Sequence, residues 1–214
     1  MKENNISVLL VDDHAVVRAG FRILLSSQRF IGDIADIERG ELVLQAYERI
    51  QPDVVVMDLS MPGIGGLETI RRLCRQHPEA IILVYSIHDE AIYVERALKA
   101  GAKGYVSKNS AAEVLAQAVK TVAEGKRYIE DKLLPEDDGS VVKQYREVVD
   151  LLTPREFDIF CYLAKGMTAH DVSRELCLGY KTVANYGTQI RNKLRVNTTA
   201  ELANIAMILG ITKP

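Results

Sequence analysis

Asp58 closes an apolar run, Asp53-Val-Val-Val-Met57, and opens the segment Asp-Leu-Ser-Met-Pro-Gly. An earlier apolar run, Ile6 to Val11, ends in the acidic pair Asp12-Asp13. If both runs are buried strands of one parallel sheet, three carboxylates meet at one edge. Like charges at that spacing repel, so such a trio is stable mainly when a hard divalent cation such as Mg²⁺ lies among them. The same cation would neutralise a phosphoryl group passing to Asp58, making that residue a candidate phosphoacceptor. Lys108, on the loop after a later apolar run, can set its ammonium against the carboxylate or its phosphate. The Ser86 hydroxyl can bond a phosphate oxygen. Tyr105, one residue outside the strand end, can swing between exposed and buried positions. A lone Asp at a strand end is usually a turn former, and Ser86 or Tyr105 alone says little; the argument rests on their joint occurrence in this order.

The elements that must position these residues can be read from periodicity. Ile6–Val11, Val54–Met57, Ile81–Tyr85 and Gly104–Val106 are short, largely apolar runs, as expected of strands buried on both faces. Ile31–Ile37 is weaker because Gly32 and Asp33 interrupt it. Helical patterns alternate with them, clearest at Leu67-Ile70-Leu73, at Ala91-Val94-Leu98 and at Val114-Ala118-Val122. Five such alternations predict a doubly wound (βα)5 α/β domain over residues 1–127, with right-handed crossovers. Ligands collect beyond the carboxyl ends of such strands, where Asp12, Asp13, Asp58, Ser86 and Lys108 fall.

From 128 to 148 the pattern dissolves, and Leu133-Leu-Pro-Glu-Asp-Asp-Gly-Ser140 reads as a solvated linker with a helix resuming near Val141. Residues 149–214 read as an all-α four-helix domain, with helices near 154–164, 169–177, 180–194 and 199–209. Thr153-Pro-Arg-Glu156 is a capping box with proline at N1. Helix, tight turn and helix follow over Thr168–Tyr186, with Gly179 expected to supply the positive φ that ends the first. The second helix of such a unit enters the DNA major groove. Its exposed positions include Lys181, Ala184, Asn185, Thr188, Gln189 and Lys193: amides suited to adenine edges, methyls suited to thymine, and lysines that with Arg191 can meet phosphates. Leu202, Ile205, Ala206 and Leu209 form an apolar stripe that either dimerises or closes the helical core.

Bulk properties narrow the classes. The formal net charge of −2 over 214 residues excludes a globally basic chain, not a local basic face. From Val149 onward eight basic residues stand against six acidic ones, four of the eight between Lys181 and Arg195. Cys74, Cys161 and Cys177 lack metal-ligand spacing and read as reduced core thiols. No stretch approaches the roughly 20 apolar residues of a membrane span, and Met1-Lys-Glu-Asn-Asn is no leader, so a soluble, intracellular protein is expected. His14 beside the acid pair reads as a helix-start residue; His77, His88 and His170 show no ligand spacing.

Together, Asp12-Asp13, Asp58-Leu-Ser-Met-Pro-Gly, Ser86 and Lys108 resemble the receiver domain of two-component response regulators over about the first 125 residues. That resemblance implies phosphate transfer to Asp58 from a sensor histidine kinase. It implies Mg²⁺ on Asp13, Asp58 and the Ser60 carbonyl with Asp12 nearby, and Ser86 and Tyr105 as a switch pair. Asn109 stands where many receivers have proline. Leu152-Thr-Pro-Arg-Glu156, Ala164-Lys-Gly166, Lys181-Thr182-Val183, Asn185 and Asn192-Lys-Leu-Arg-Val196 resemble the LuxR-type DNA-binding domain. The pair implies a bacterial, cytoplasmic response regulator of the NarL/FixJ family that binds double-stranded DNA, dimerises through its last helix and turns over no independent substrate. Ala184 and Tyr186 replace residues the family often has as lysine and histidine, so the target sequence cannot be carried over. One alternative is a receiver-controlled antagonist whose helical part binds protein instead of DNA. Another, an aspartyl-phosphate phosphatase, needs a second acid two residues after Asp58, where this chain has Ser60.

Overall fold

The computed structural model describes residues 5–134 and 140–212. The chain divides into two compact units, with the main break after Leu134. In the first, β1 (Ile6–Val11), β2 (Ile31–Ile37), β3 (Val54–Met57), β4 (Ile82–Ser86), β5 (Gly104–Ser107) and β6 (Tyr128–Ile129) form one sheet in the order β2-β1-β3-β4-β5-β6. Every pairing is parallel. The connecting helices are α1 (Ala15–Ser26), α2 (Val43–Ile50), α3 (Gly66–Gln76), α4 (Ala91–Ala100) and α5 (Ala112–Ala123).

The apolar runs behave as double-faced strands should. One set of alternating residues, Val8, Leu10, Val54, Val56, Leu83, Tyr85 and Val106, packs with Leu25 of α1 and Leu115, Val119 and Val122 of α5. The intervening residues Leu9, Val55, Met57, Ile82, Val84 and Tyr105 are also buried and point to the opposite face. Covering both faces removes the alternation of polar and apolar residues, which is why these strands read as continuous apolar runs. β1 lies between β2 and β3, so the strand order reverses there, and the carboxyl ends of β1 and β3 flank the switch point.

One sequence expectation needs correction here. The sheet has six strands, not five: Tyr128 and Ile129, assigned to the linker, pair with Gly104 and Tyr105. The helix expected to resume near Val141 is present as α6 (Ser140–Val149), and a 3₁₀ turn, Asp131–Leu133, precedes it. The acid cluster at 136–138 lies outside the described residues.

The second unit contains α6, α7 (Pro154–Ala164), α8 (Ala169–Glu175), α9 (Tyr180–Leu194) and α10 (Thr199–Ile208). Its buried residues include Phe157, Phe160, Val172, Val183, Ile190 and Leu194. Three helices start at full capping boxes, Thr153 with Glu156, Thr168 with Asp171, and Thr198 with Glu201. Each such cap contributes about 1 kcal/mol by satisfying otherwise orphaned amides. The turn between α8 and α9 differs from expectation: Gly179 has φ −69° and merely precedes α9. Cys177 takes the left-handed conformation, φ 51°. The Leu178 amide donates to the Ser173 carbonyl (2.8 Å) and the Cys177 amide to the Arg174 carbonyl (3.3 Å), a Schellman ending built on a non-glycine residue.

The apolar stripe on α10 is also reassigned. Leu202, Ile205, Ala206 and Leu209 are all buried, at most 7% exposed, so they close the helical core and are not available as a dimerisation surface. Periodicity showed that the face was apolar, and either packing satisfies that.

Candidate functional site: an acidic pocket and a recognition helix

Two backbone hydrogen bonds fix the strand ends that carry the acids. The Asp58 amide donates to the Val11 carbonyl (2.9 Å) and the Asp12 amide to the Ile37 carbonyl (3.2 Å). Arg18, one turn into α1, donates through Nη1 to the Asp12 carbonyl (2.7 Å) and pairs with Asp36 at the end of β2. The pocket is thereby tied to both neighbours of β1.

Asp12 and Asp58 are buried, Asp58 at 2% exposure. Carboxylate oxygens of Asp12, Asp13 and Asp58 and a ring nitrogen of His14 lie within 4.8 Å of one another. Lys108 Nζ bridges Asp12 Oδ2 (2.6 Å) and Asp58 Oδ2 (2.9 Å). His14 lies at the α1 start as read from sequence; its amide donates to Asp12 Oδ1 (2.8 Å) and its Nδ1 sits 2.9 Å from Asp13 Oδ1.

Burial pushes the Asp58 carboxyl above its ordinary range; Lys108 opposes that, and the neighbouring Asp12 charge adds to it. For Lys108 burial pulls down, but Asp58 and Asp12 together outweigh it and hold the ammonium above its usual value. One cation against three acids leaves the pocket short of positive charge. Among the described residues Asp58 Oδ1 is moreover a buried atom that accepts no hydrogen bond, and Asp13 Oδ1 faces only the titratable His14 ring nitrogen. Hard oxygen donors with unused lone pairs, in a site lacking positive charge, fit a small divalent cation.

The remaining pocket residues divide. Ser86, the last residue of β4, is fully buried, and its Oγ accepts from the His88 amide (3.3 Å). Tyr105 is not outside the strand end, as the sequence suggested: it lies within β5, is 0% exposed, and its hydroxyl donates to the His88 carbonyl (2.7 Å). It is therefore in the buried position. Ser60 Oγ lies 3.0 Å from His88 Nε2, and the His88 ring stacks on Tyr93 at 3.9 Å.

His88 thus touches Ser60, Ser86 and Tyr105 together, and sequence reasoning gave it no role. The available signal was its place on the loop after β4, at the same sheet edge as the acids. Gly66 was missed as well. It opens α3 and donates its amide to the Leu59 carbonyl (3.1 Å), and a Cβ there would lie 2.5 Å from Leu59 Cα and closer still to the Asp58 carbonyl oxygen.

In the second unit, α9 buries Val183, Gly187, Ile190 and Leu194 and exposes Lys181, Thr182, Asn185, Thr188 and Gln189. Ala184 and Arg191 are partly buried at the margins of that face. Lys193 has a different engagement: its Nζ bonds Glu156 Oε2 (2.6 Å) and the Leu151 carbonyl (3.3 Å), tying α9 to the start of α7. Burial by itself would raise the Glu156 carboxyl, but bonds from Lys193 and Thr153 hold it below its ordinary range. A Cβ at Gly187 would meet Leu163 at 3.5 Å, an ordinary contact, so packing does not require the roughly 1 kcal/mol that glycine costs this helix. Among the described residues no helix is long and apolar enough to cross a membrane.

Comparison with known proteins agrees with both units. Residues 8–120 match the response regulator receiver domain family, and residues 150–212 match the bacterial regulatory proteins, luxR family. The chain is 34% identical to the transcriptional regulatory protein DegU of Brevibacillus brevis, over 92% of this chain and 91% of that one. It is 36% identical to the transcriptional activator protein ExaE of Pseudomonas putida, over 96% and 98%. Its fold is shared with RcsB from Salmonella enterica serovar Typhimurium, in a structure bound to promoter P1flhDC in the presence of phosphomimetic BeF3−. That likeness has a TM-score of 0.63 at 21% identity, covering 94% of this chain and 98% of the other. Sheet order, acidic strand ends and helical second unit therefore converge on one assignment: the chain belongs to the two-component response regulators that join a receiver domain to a LuxR-type DNA-binding domain.

Proposed function

We propose that Asp58 is the phosphoacceptor of this regulator and that its modification governs binding of α9 to duplex DNA. The observation that carries the reading is a buried Asp58 whose Oδ2 meets Lys108 while its Oδ1 keeps unused lone pairs. In the transfer, the P–N bond of a sensor kinase's phosphohistidine breaks and a P–O bond to Asp58 forms. Asp13, Asp58 and the Ser60 carbonyl, with Asp12 nearby, would hold Mg²⁺, which supplies positive charge against the phosphoryl oxygens. Lys108 then exchanges part of its bonding to Asp58 for a bond to the phosphate. Ser86 turns its hydroxyl from the His88 amide toward a phosphate oxygen, and Tyr105, bonded to the same residue's carbonyl, repacks with it. This is a local charge change acting on a packed element with two arrangements.

On the output side, Lys181, Thr182, Asn185, Thr188 and Gln189 supply the reading face, with Ala184 offering a methyl and Arg191 a phosphate contact. Lys193 contributes chiefly by anchoring α9 through Glu156. The family assignment and the DNA named for the RcsB structure support duplex DNA as the ligand; a homodimer on that DNA and a cytoplasmic setting belong to the same proposal. Dimerisation through α10 would use its outer side, where Met207 is 46% exposed. No substrate turnover beyond slow loss of the protein's own phosphate is assigned.

The metal can be tested at once. With acetyl phosphate as donor, labelling of the full chain is expected in Mg²⁺ and should fall to background when EDTA is present. Equal labelling in the two buffers would contradict an acceptor that works with a cation.

A further inference from the structure

Lys108 reaches Asp12 and Asp58 from a short turn, Ser107–Ser110, closed by the Ser110 amide donating to the Ser107 carbonyl (3.1 Å). Asn109 in that turn leaves its backbone without the ring that would lock φ. Within the turn the Lys108 amide donates to the Ser86 carbonyl (2.7 Å), the Asn109 amide to Ser107 Oγ (3.1 Å) and the Asn109 side chain to Asp89 Oδ2 (3.1 Å), and one further side chain reaches both of its ends. Glu130, just beyond β6, accepts the Ser107 amide at Oε2 (3.1 Å) and the Ser110 hydroxyl at Oε1 (2.5 Å). Lys132 completes the brace, donating to Ser110 Oγ (2.8 Å) and lying 3.2 Å from Glu130. A single carboxylate therefore grips both ends of the turn that presents Lys108.

We propose that Glu130 is a positioning residue for Lys108: it sets where the ammonium stands against Asp58, and so the rate at which phosphate is accepted, without touching the reacting atoms. β6 pairs with β5 for two residues and places Glu130 against this turn, which gives that small strand a reason to be there. The inference rests on the aspartyl-phosphate reading above.

The test is a double-mutant cycle on the full-length protein, reading the initial rate of acetyl-phosphate labelling in Mg²⁺. Glu130→Ala is expected to slow labelling about tenfold. Glu130→Gln, whose amide oxygen still accepts the Ser107 amide, should lose no more than about threefold. Lys108→Ala slows labelling by itself, and adding Glu130→Ala to it should change nothing further, because the residue to be positioned is gone. A merely structural Glu130 would instead slow labelling by the same factor in both backgrounds, and that result overturns the proposal. So does wild-type labelling in Glu130→Ala. A wild-type chain that takes no label while Lys108→Ala and Glu130→Ala behave alike overturns the underlying phosphoacceptor reading.

Discussion

Replacing Asp58 by asparagine is expected to abolish acetyl-phosphate labelling, lowering its rate by a factor of roughly 10³ or more, the scale on which removal of a nucleophile acts. Asparagine fills the same volume and can face Lys108 with its carbonyl, so the pocket keeps its shape. Only the nucleophilic oxygen and its charge are lost. Stability should not fall with reactivity. Burial raises the Asp58 carboxyl, so in metal-free buffer the folded state resists its charge. A raised folded-state pKa in an acid means that stability declines as pH climbs through the unfolded value, and at neutral pH the ionised group works against folding. A neutral isostere removes that cost. The expected pattern is a melting temperature equal to or above wild type, with no label. A destabilised Asp58→Asn that still labels would show that another residue accepts phosphate.

The second large effect concerns space, not charge. Gly66→Ala should destabilise the receiver by about 1–3 kcal/mol, the usual cost of overpacking, and depress labelling as well. The atoms its Cβ would strike belong to the Asp58 carbonyl and to Leu59 Cα, main-chain groups that cannot rotate away. Relief requires α3 to lift from the β3 exit, and Asp58 moves with that exit. Gly20→Ala provides the contrast, because nothing lies within 4 Å of a Cβ built there on the exposed side of α1. The same chemical change should stabilise that helix by roughly 0.5–1 kcal/mol. Urea unfolding midpoints for the two variants should move in opposite directions. A Gly66→Ala midpoint at or above wild type would mean that the close approach of α3 is dispensable.

The acidic pocket was legible in the sequence because its parts end continuous apolar runs, and burial on both faces leaves few other assignments for Ile6–Val11 and Val54–Met57. The start of α7 was readable for a related reason: Thr153, Pro154 and Glu156 form a start signal that acts locally. What escaped detection depended on partners distant in sequence. A two-residue strand such as β6 has no period, and the value of Glu130 appears only when the Lys108 turn is folded against it. His88 shows no ligand spacing, because its contacts come from three other loops and strands. Gly179 permits a positive φ without compelling one, and the chain places that conformation at Cys177. The α10 stripe reported an apolar face, while its partner, the core of its own unit, is a tertiary fact.

The central claim is that phosphate on Asp58 sets the affinity of the helical unit for duplex DNA. Its most direct test is binding of the full chain to duplex fragments across a salt series, comparing acetyl-phosphate-treated wild type, untreated wild type and treated Asp58→Asn. Contacts from cationic side chains to phosphates release counterions, so log affinity must fall linearly with log salt. The treated wild type should bind more tightly than the other two at every salt concentration, with a clear negative slope, and treated Asp58→Asn should coincide with the untreated protein. Binding that shows no salt slope, or that is the same for all three proteins, would contradict the account.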